Sequence, residues 1–366
     1  MTTISRRAVN RALLARQFLI QRAEVPVESA VRHLVGLQAQ APAPPYVGLW
    51  TRLAGFAAED LSAAMADRRI VRIVAMRGTI HTLTADDCLD LRARIRPVLE
   101  RGLSGQFRGR YADLDREEVA AAGRALVERE PRTYAEIGAA LAERWPDIDP
   151  ALFGHVARTY LPLVQVTPRG LWGRGGKAAH TTAEHWLGTA VGTDDAPDPL
   201  VLRYLGAFGP ASVADVQTWS GLTRLREVVD RLRPRLVTFT GEDGTELYDL
   251  PDAPRPDPDT TVPVRFLPQW DNLLLSHADR SRVVPEEYRK LLFASLNGTV
   301  PGTVLVDGLV RGTWAHRATR TESVLAVTPY RALSVRDTAS VTAEGRRLAA
   351  FLSPDLPPDV RIEAAD

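Results

Sequence analysis

The chain has 366 residues, 45% of them hydrophobic and 25% charged, with 46 basic side chains against 45 acidic ones. That length exceeds one ordinary domain, the composition is that of a folded globular protein, and no stretch approaches the roughly 20 apolar residues of a membrane span. The single cysteine, Cys88, excludes an internal disulfide, and the seven histidines are scattered without zinc-ligand spacing, so neither metal nor cofactor is expected.

Arg11, Arg16 and Arg22 interrupt the apolar pattern near the start, unlike a secretory leader, and a cytoplasmic location is expected. The net charge of +1 conceals an uneven distribution. Only two lysines occur, Lys177 and Lys290, so nearly all positive charge is arginine, whose planar fork matches phosphate bidentately. A GC-rich coding sequence would give the same bias. The clusters are more telling: Arg6-Arg7-Arg11, Arg68-Arg69-Arg72, Arg92-Arg94-Arg96-Arg101, Arg108-Arg110 and Arg224-Arg226, against acidic residues at 194–198 and 242–259. Local basic faces on a near-neutral protein fit a groove that follows a phosphate backbone.

In chain order, a unit of helix, helix-turn-helix and two-stranded wing recurs. In the first unit, 1–84, apolar spacing predicts helices near 5–21, 27–38, 45–53 and 58–67, then strands over 70–76 and 79–83. Within it Gln38 and Gln40 stand one residue apart, where the second helix runs into a proline-rich break. Neutral amides there suit gripping a water, not donating protons. In the second unit, 85–190, helices are expected over 86–103, 116–129, 134–145 and 150–160, with a wing of 163–167 and 171–174 around Pro168-Arg169-Gly170.

The third unit, 191–255, has the clearest pattern. Leu200, Val201, Tyr204, Leu205 and Phe208 give a helix stopped by Gly209-Pro210, and Ser212 caps 213–219. Gly221 turns the chain into a helix over 222–232, and 236–240 with 246–250 form a hairpin. The remainder, 256–366, follows a proline-rich linker and predicts a strand at 264–267, a helix at 286–296, strands at 303–306, 309–314 and 323–328, and a helix at 341–352. Asp307-Gly308 is a two-residue hairpin signal. The fold class expected is α+β: three tandem winged helix-turn-helix units forming an open concave scaffold, plus a C-terminal α/β element with a small sheet and a basic hairpin.

Three winged units, Gln38-Ala39-Gln40, the segment Leu267-Pro268-Gln269-Trp270-Asp271-Asn272-Leu273-Leu274 with Asp279-Arg280, and Val306-Asp307-Gly308-Leu309-Val310-Arg311-Gly312-Thr313-Trp314 resemble the AlkZ/YcaQ family of bacterial DNA glycosylases over nearly the whole chain. In that family a glutamine, an apolar residue and a glutamine or aspartate form the catalytic motif. Gln38 and Gln40 match the two-glutamine branch, the AlkZ type, associated with bulky alkylation adducts and interstrand crosslinks made by secondary metabolites. The resemblance implies a monomeric glycosylase acting on double-stranded DNA, in base excision repair or antibiotic self-resistance. Its substrates would be cationic alkylated purines, N7-alkylguanine and N3-alkyladenine, which leave as neutral bases without a general acid. No lysine nucleophile is evident, which favours monofunctional hydrolysis over a lyase step.

Asp271 and the pair Asp279-Arg280 are either structural or catalytic, and Trp270 and His81 are further candidates to support the site. Trp172, Trp270 and Trp314 are open to base stacking or to core packing. His316, Arg317 and Arg320, in a basic turn between two strands, form the preferred DNA-contacting hairpin, with Arg224 and Arg226 next in line for phosphate contact. The competing expectation is a non-catalytic winged-helix transcriptional regulator, in which Gln38 and Gln40 end a helix or read adenine.

Overall fold

The computed structural model describes residues 2–107, 113–295 and 298–364, so Arg108, Arg110 and Leu296 lie outside the described residues. The first two units share a sheet. Its five strands run in the order Leu37–Gln38, Ile80–Thr84, Ile70–Val74, Leu163–Gln165, His180–Thr182, all antiparallel. Long-range pairing of Ile73 with Val164 thus fuses two hairpins that local sequence presents as separate wings.

Two local expectations are corrected here. Gln38 does not end a helix. The helix Val27–His33 closes at Leu34, and Val35 and Gly36 turn the chain through left-handed backbone, at φ 52° and 89°. A side chain at Gly36 would come within 2.4 Å of Leu83, so only glycine fits, and Leu37–Gln38 leaves that turn extended. Nor is 171–174 a strand. Gly170 and Gly173 carry positive φ, Tyr46 donates its hydroxyl to the Gly170 carbonyl, and Trp172 packs on Tyr46 and Phe351. The partner of Leu163–Gln165 is His180–Thr182 instead.

In the third unit Ser212 and Asp215 cap the helix Val213–Ser220 reciprocally, and Gly221 turns at φ 81°. The following helix is Leu225–Leu232, shorter than expected because Arg224 is left-handed at φ 60°. The wing strands Val237–Gly241 and Glu246–Asp249 gain a third, Thr2–Ile4, parallel to the first of them. The C-terminal sheet has the order Pro358–Ile362, Ser323–Pro329, Leu309–Ala318, Gly302–Val306, Arg265–Leu267, and the helix Val335–Leu352 lies across it. That helix starts at the Ser334 cap, upstream of the apolar run that marks it in the sequence.

Buried ion pairs tie the N-terminal unit to the rest. Arg16 grips Asp249 of the third wing at 2.6 Å, and Arg52 grips Asp271 of the C-terminal element at 2.8 Å, with all four side chains almost fully enclosed. Removing one member of such a pair costs roughly 3–5 kcal/mol, because the other is left charged and unpaired.

Candidate functional site

Gln38 stands directly opposite His81 in the sheet. The neighbouring bond from Ala39 N to Ile80 O, at 2.7 Å, makes Gln38 and His81 a non-hydrogen-bonded pair, the position at which cross-strand side chains approach closest. Between the wing strands, the turn Met76–Gly78 presents Arg77 at φ 57°. The Arg77 guanidinium donates to Gln38 Oε1 at 2.7 Å, to Asn272 Oδ1 at 2.9 Å and to the Trp219 carbonyl at 2.9 Å. Asn272 in turn donates to the Gly36 carbonyl at 3.3 Å. One side chain therefore joins the first wing, the end of a third-unit helix and the C-terminal element.

Because Arg77 holds Oε1, the orientation of the Gln38 amide is defined. Its NH2 has no partner among the described residues and is not enclosed, although the residue as a whole is only 7% exposed. Gln40 lies just past the strand end, exposed and without a hydrogen bond among the described residues. The carbonyl of Ala39 between them accepts from Arg72 at 2.7 Å.

The electrostatics are one-sided. Burial, and then the charge of Arg280, lower Arg77 to about 10, which leaves it cationic at neutral pH. Arg72 is likewise brought down to about 10 by burial and then by Arg169. Arg101 donates to the Gly221 carbonyl and Arg158 to that of Gly78. Arg280 sits over the Phe293 ring at 4.3 Å. Gly221 packs against Arg77, since a Cβ there would lie 3.4 Å from the Arg77 Cα, and Arg224 is exposed just beyond that turn. None of Arg77, Arg101, Arg158, Arg224 and Arg280 pairs with a carboxylate among the described residues, whereas most buried arginines elsewhere do. Such a patch attracts a polyanion.

Against this geometry, residues 31–351 match the family model described as DNA glycosylase AlkZ-like. The chain belongs to the AlkZ-like DNA glycosylase family. A relative, the interstrand DNA cross-link repair glycosylase of Streptomyces sahachiroi, is 26% identical over 346 residues, covering 87% of this chain and 88% of its own. The solved structure of Streptomyces sahachiroi DNA glycosylase AlkZ superposes with a TM-score of 0.81 at 21% identity, over 99% of this chain and 100% of that one. The α+β winged-helix scaffold is that of the solved structure.

For this AlkZ-like chain the remaining candidates separate clearly. Asp271 has both carboxylate oxygens on Arg52 at 2.8 Å, and one caps Leu273 N at 2.9 Å, which places Asn272 next to Arg77. Asp279 does not pair with Arg280. It caps its own loop through Ser281, and this leaves Arg280 to face Arg77. Trp270, half-buried at φ 55°, bonds the Gly298 carbonyl, and Trp314 bonds that of Leu267 and packs on Phe266. Trp270 thus ties one loop to another, Trp314 links two strands of the C-terminal sheet, and Trp172 packs partly buried against the core.

Arg226 is committed to Glu246 and Tyr248 within its own unit, while Arg224 has no such tie among the described residues. His316 bonds Ser323 Oγ at 2.9 Å and is half-buried, but Arg317 and Arg320 project from the hairpin exposed and without a partner among the described residues. Arg280 was a sequence candidate within the pair Asp279-Arg280, but Arg77 and Asn272 were not. The only signals for them are an Arg-Gly turn between two strands and the amide following Asp271. Among the described residues no group of three or more His, Cys, Asp or Glu could hold a metal, and no helix is long and apolar enough to cross a membrane.

Proposed function

We propose that this protein is a monofunctional DNA glycosylase of the two-glutamine branch, with Gln38 and Gln40 as its catalytic residues. It hydrolyses the N-glycosidic bond of cationic alkylated purines in duplex DNA, N7-alkylguanine and N3-alkyladenine. Bulky adducts or interstrand crosslinks of a genotoxic natural product are its principal substrates. The observation that carries this is the Gln38 amide fixed by Arg77 in the middle of arginines that have no carboxylate partner among the described residues, with the exposed Gln40 one residue away. The exposed setting of Gln40 favours large lesions, which a closed base pocket excludes, and the name of the Streptomyces relative points the same way.

The chemistry follows from charge. In an N7-alkylguanine the C1′–N9 bond breaks with its electron pair going to N9, which neutralises the cationic ring, so the base departs without a proton. The oxocarbenium-like sugar is captured by water at C1′, and the water's proton passes to solvent. Gln40, whose amide has no partner among the described residues, holds that water through its carbonyl. Gln38 offers the second lone pair of Oε1, the first being taken by Arg77. Amide carbonyl dipoles favour the positive charge developing on the sugar. The Arg77 cation behind Gln38 disfavours it, and only bases that are already charged leave quickly. Arg317 and Arg320 on the hairpin, with Arg224, contact the phosphate backbone and keep the lesion over the amides.

The test is release of free base from a duplex carrying N7-methylguanine or a bulky N7-guanine adduct, read by mass spectrometry before and after alkali. The expected result is free modified base with strand breaks only after alkali. A non-catalytic regulator would bind the duplex and leave every base in place.

A further inference from the structure

His81, opposite Gln38, carries a polar atom that the chemistry above does not use. Its Nδ1 lies 3.0 Å from the Thr79 carbonyl. A carbonyl only accepts, so Nδ1 carries the proton and Nε2 carries the lone pair. Nε2 is enclosed and has no partner among the described residues, in a side chain that is 0% exposed. An acceptor buried without a partner is costly, and native folds keep few of them. The ring does not escape by taking a proton, because burial and then the Arg77 charge hold it down to about 3.

Across the strand pair is a group of complementary sense. Directly opposite residues of antiparallel strands point to the same face, and at a non-hydrogen-bonded position they are closest. Gln38 there has Oε1 anchored to Arg77 and an NH2 without a partner among the described residues.

We infer that His81 is a positioning residue for Gln38: in the DNA-bound state one amide N–H of Gln38 donates to His81 Nε2 while Arg77 keeps Oε1. The amide is then held at both ends by partners of opposite sense, a donor for its oxygen and an acceptor for its nitrogen. The flipped amide is excluded, since it would set NH2 against a guanidinium and the carbonyl against a lone pair. The remaining Oε1 lone pair is aimed out of the sheet at the substrate. This rests on Gln38 serving the glycosylase site, and adds that a neutral imidazole selects its orientation.

Two substitutions separate this role from simple core filling. His81→Gln retains an acceptor near the position of Nε2, whereas His81→Leu fills the space without one. Single-turnover release of N7-methylguanine is expected to fall at least about tenfold in H81L, with duplex affinity unchanged, and to recover most of the way in H81Q. If the ring only filled space, leucine would be tolerated at least as well as glutamine. The wild-type protein supplies an independent measurement. With 15N-labelled histidine, the His81 Nε2 resonance is expected to become more shielded when a duplex containing a stable abasic analogue binds, and Gln38→Ala should abolish the change.

An H81L variant that excises at the wild-type rate, or an Nε2 resonance indifferent to DNA, overturns the inference. If the wild-type protein releases no base but the resonance responds to DNA through Gln38, the contact stands and the glycosylase reading falls.

Discussion

Replacing Arg77 with methionine isolates what fixes the Gln38 amide. Methionine keeps an unbranched side chain and imposes no new backbone demand at φ 57°, yet removes the donor shared by Gln38 Oε1, Asn272 Oδ1 and the Trp219 carbonyl. A hydrogen bond from a charged donor is worth roughly 1.5–3 kcal/mol. If the bond to Gln38 acts through orientation of the amide, its loss raises the barrier by that amount, a roughly 10- to 150-fold slowing of excision. Folding stability should change less, since the cation's own burial offsets part of the three bonds. Arg77→Lys keeps the charge, but one ammonium cannot span three acceptors in a planar fork, and it should fall between the two. The assay is single-turnover release of N7-methylguanine at saturating enzyme, with duplex affinity measured alongside. An R77M variant excising at the wild-type rate, or losing affinity and rate in equal proportion, would refute the role given to Arg77.

Asp271→Asn leaves Arg52 charged in a site where both partners are about 1% exposed, and should cost roughly 3–5 kcal/mol in urea unfolding; a loss under about 1 kcal/mol would contradict the structural role of Asp271. Burial holds His81 to about 3 and His180 to about 4, against an ordinary histidine value of 6.5. The unfolded chain therefore binds protons that the fold refuses, and the stability present above pH 6.5 is lost as pH falls from there toward 3–4. At about 1.4 kcal/mol per pH unit for each ring, the pair should remove about 3 kcal/mol at pH 5.5, and unfolding curves that coincide at pH 7.5 and 5.5 would exclude this. Arg317→Ala and Arg320→Ala should each lower the slope of log affinity against log salt by about 0.9, and an unchanged slope would remove the hairpin from the phosphate contacts.

What could be read from the sequence follows from how local each signal is. The Ser212 cap, the Gly221 turn and the Asp307-Gly308 hairpin are all defined within a few residues, and each appears where expected. Leu37–Gln38 is too short to show alternation, and its extended form depends on close contact between Gly36 and Leu83. The break at Gln38-Ala39-Gln40 is visible as an end of helical periodicity, but the sheet it enters is not. Arg77 is invisible for the same reason. Its three acceptors belong to residues 38, 219 and 272, which only the folded chain brings together. The joined sheet and the parallel strand Thr2–Ile4 likewise depend on partners far away in sequence.

The central claim is that two neutral amides suffice to hydrolyse the N-glycosidic bond of a base that already carries positive charge. Its most direct measurement is single-turnover excision of N7-methylguanine by Gln38→Ala and Gln40→Ala, with duplex affinity determined for each. The account predicts that both variants bind as tightly as the parent while base release slows by about 100-fold or more, the scale expected when a positioned nucleophile is lost. Excision at the parental rate in both variants would show that the chemistry resides elsewhere in the chain.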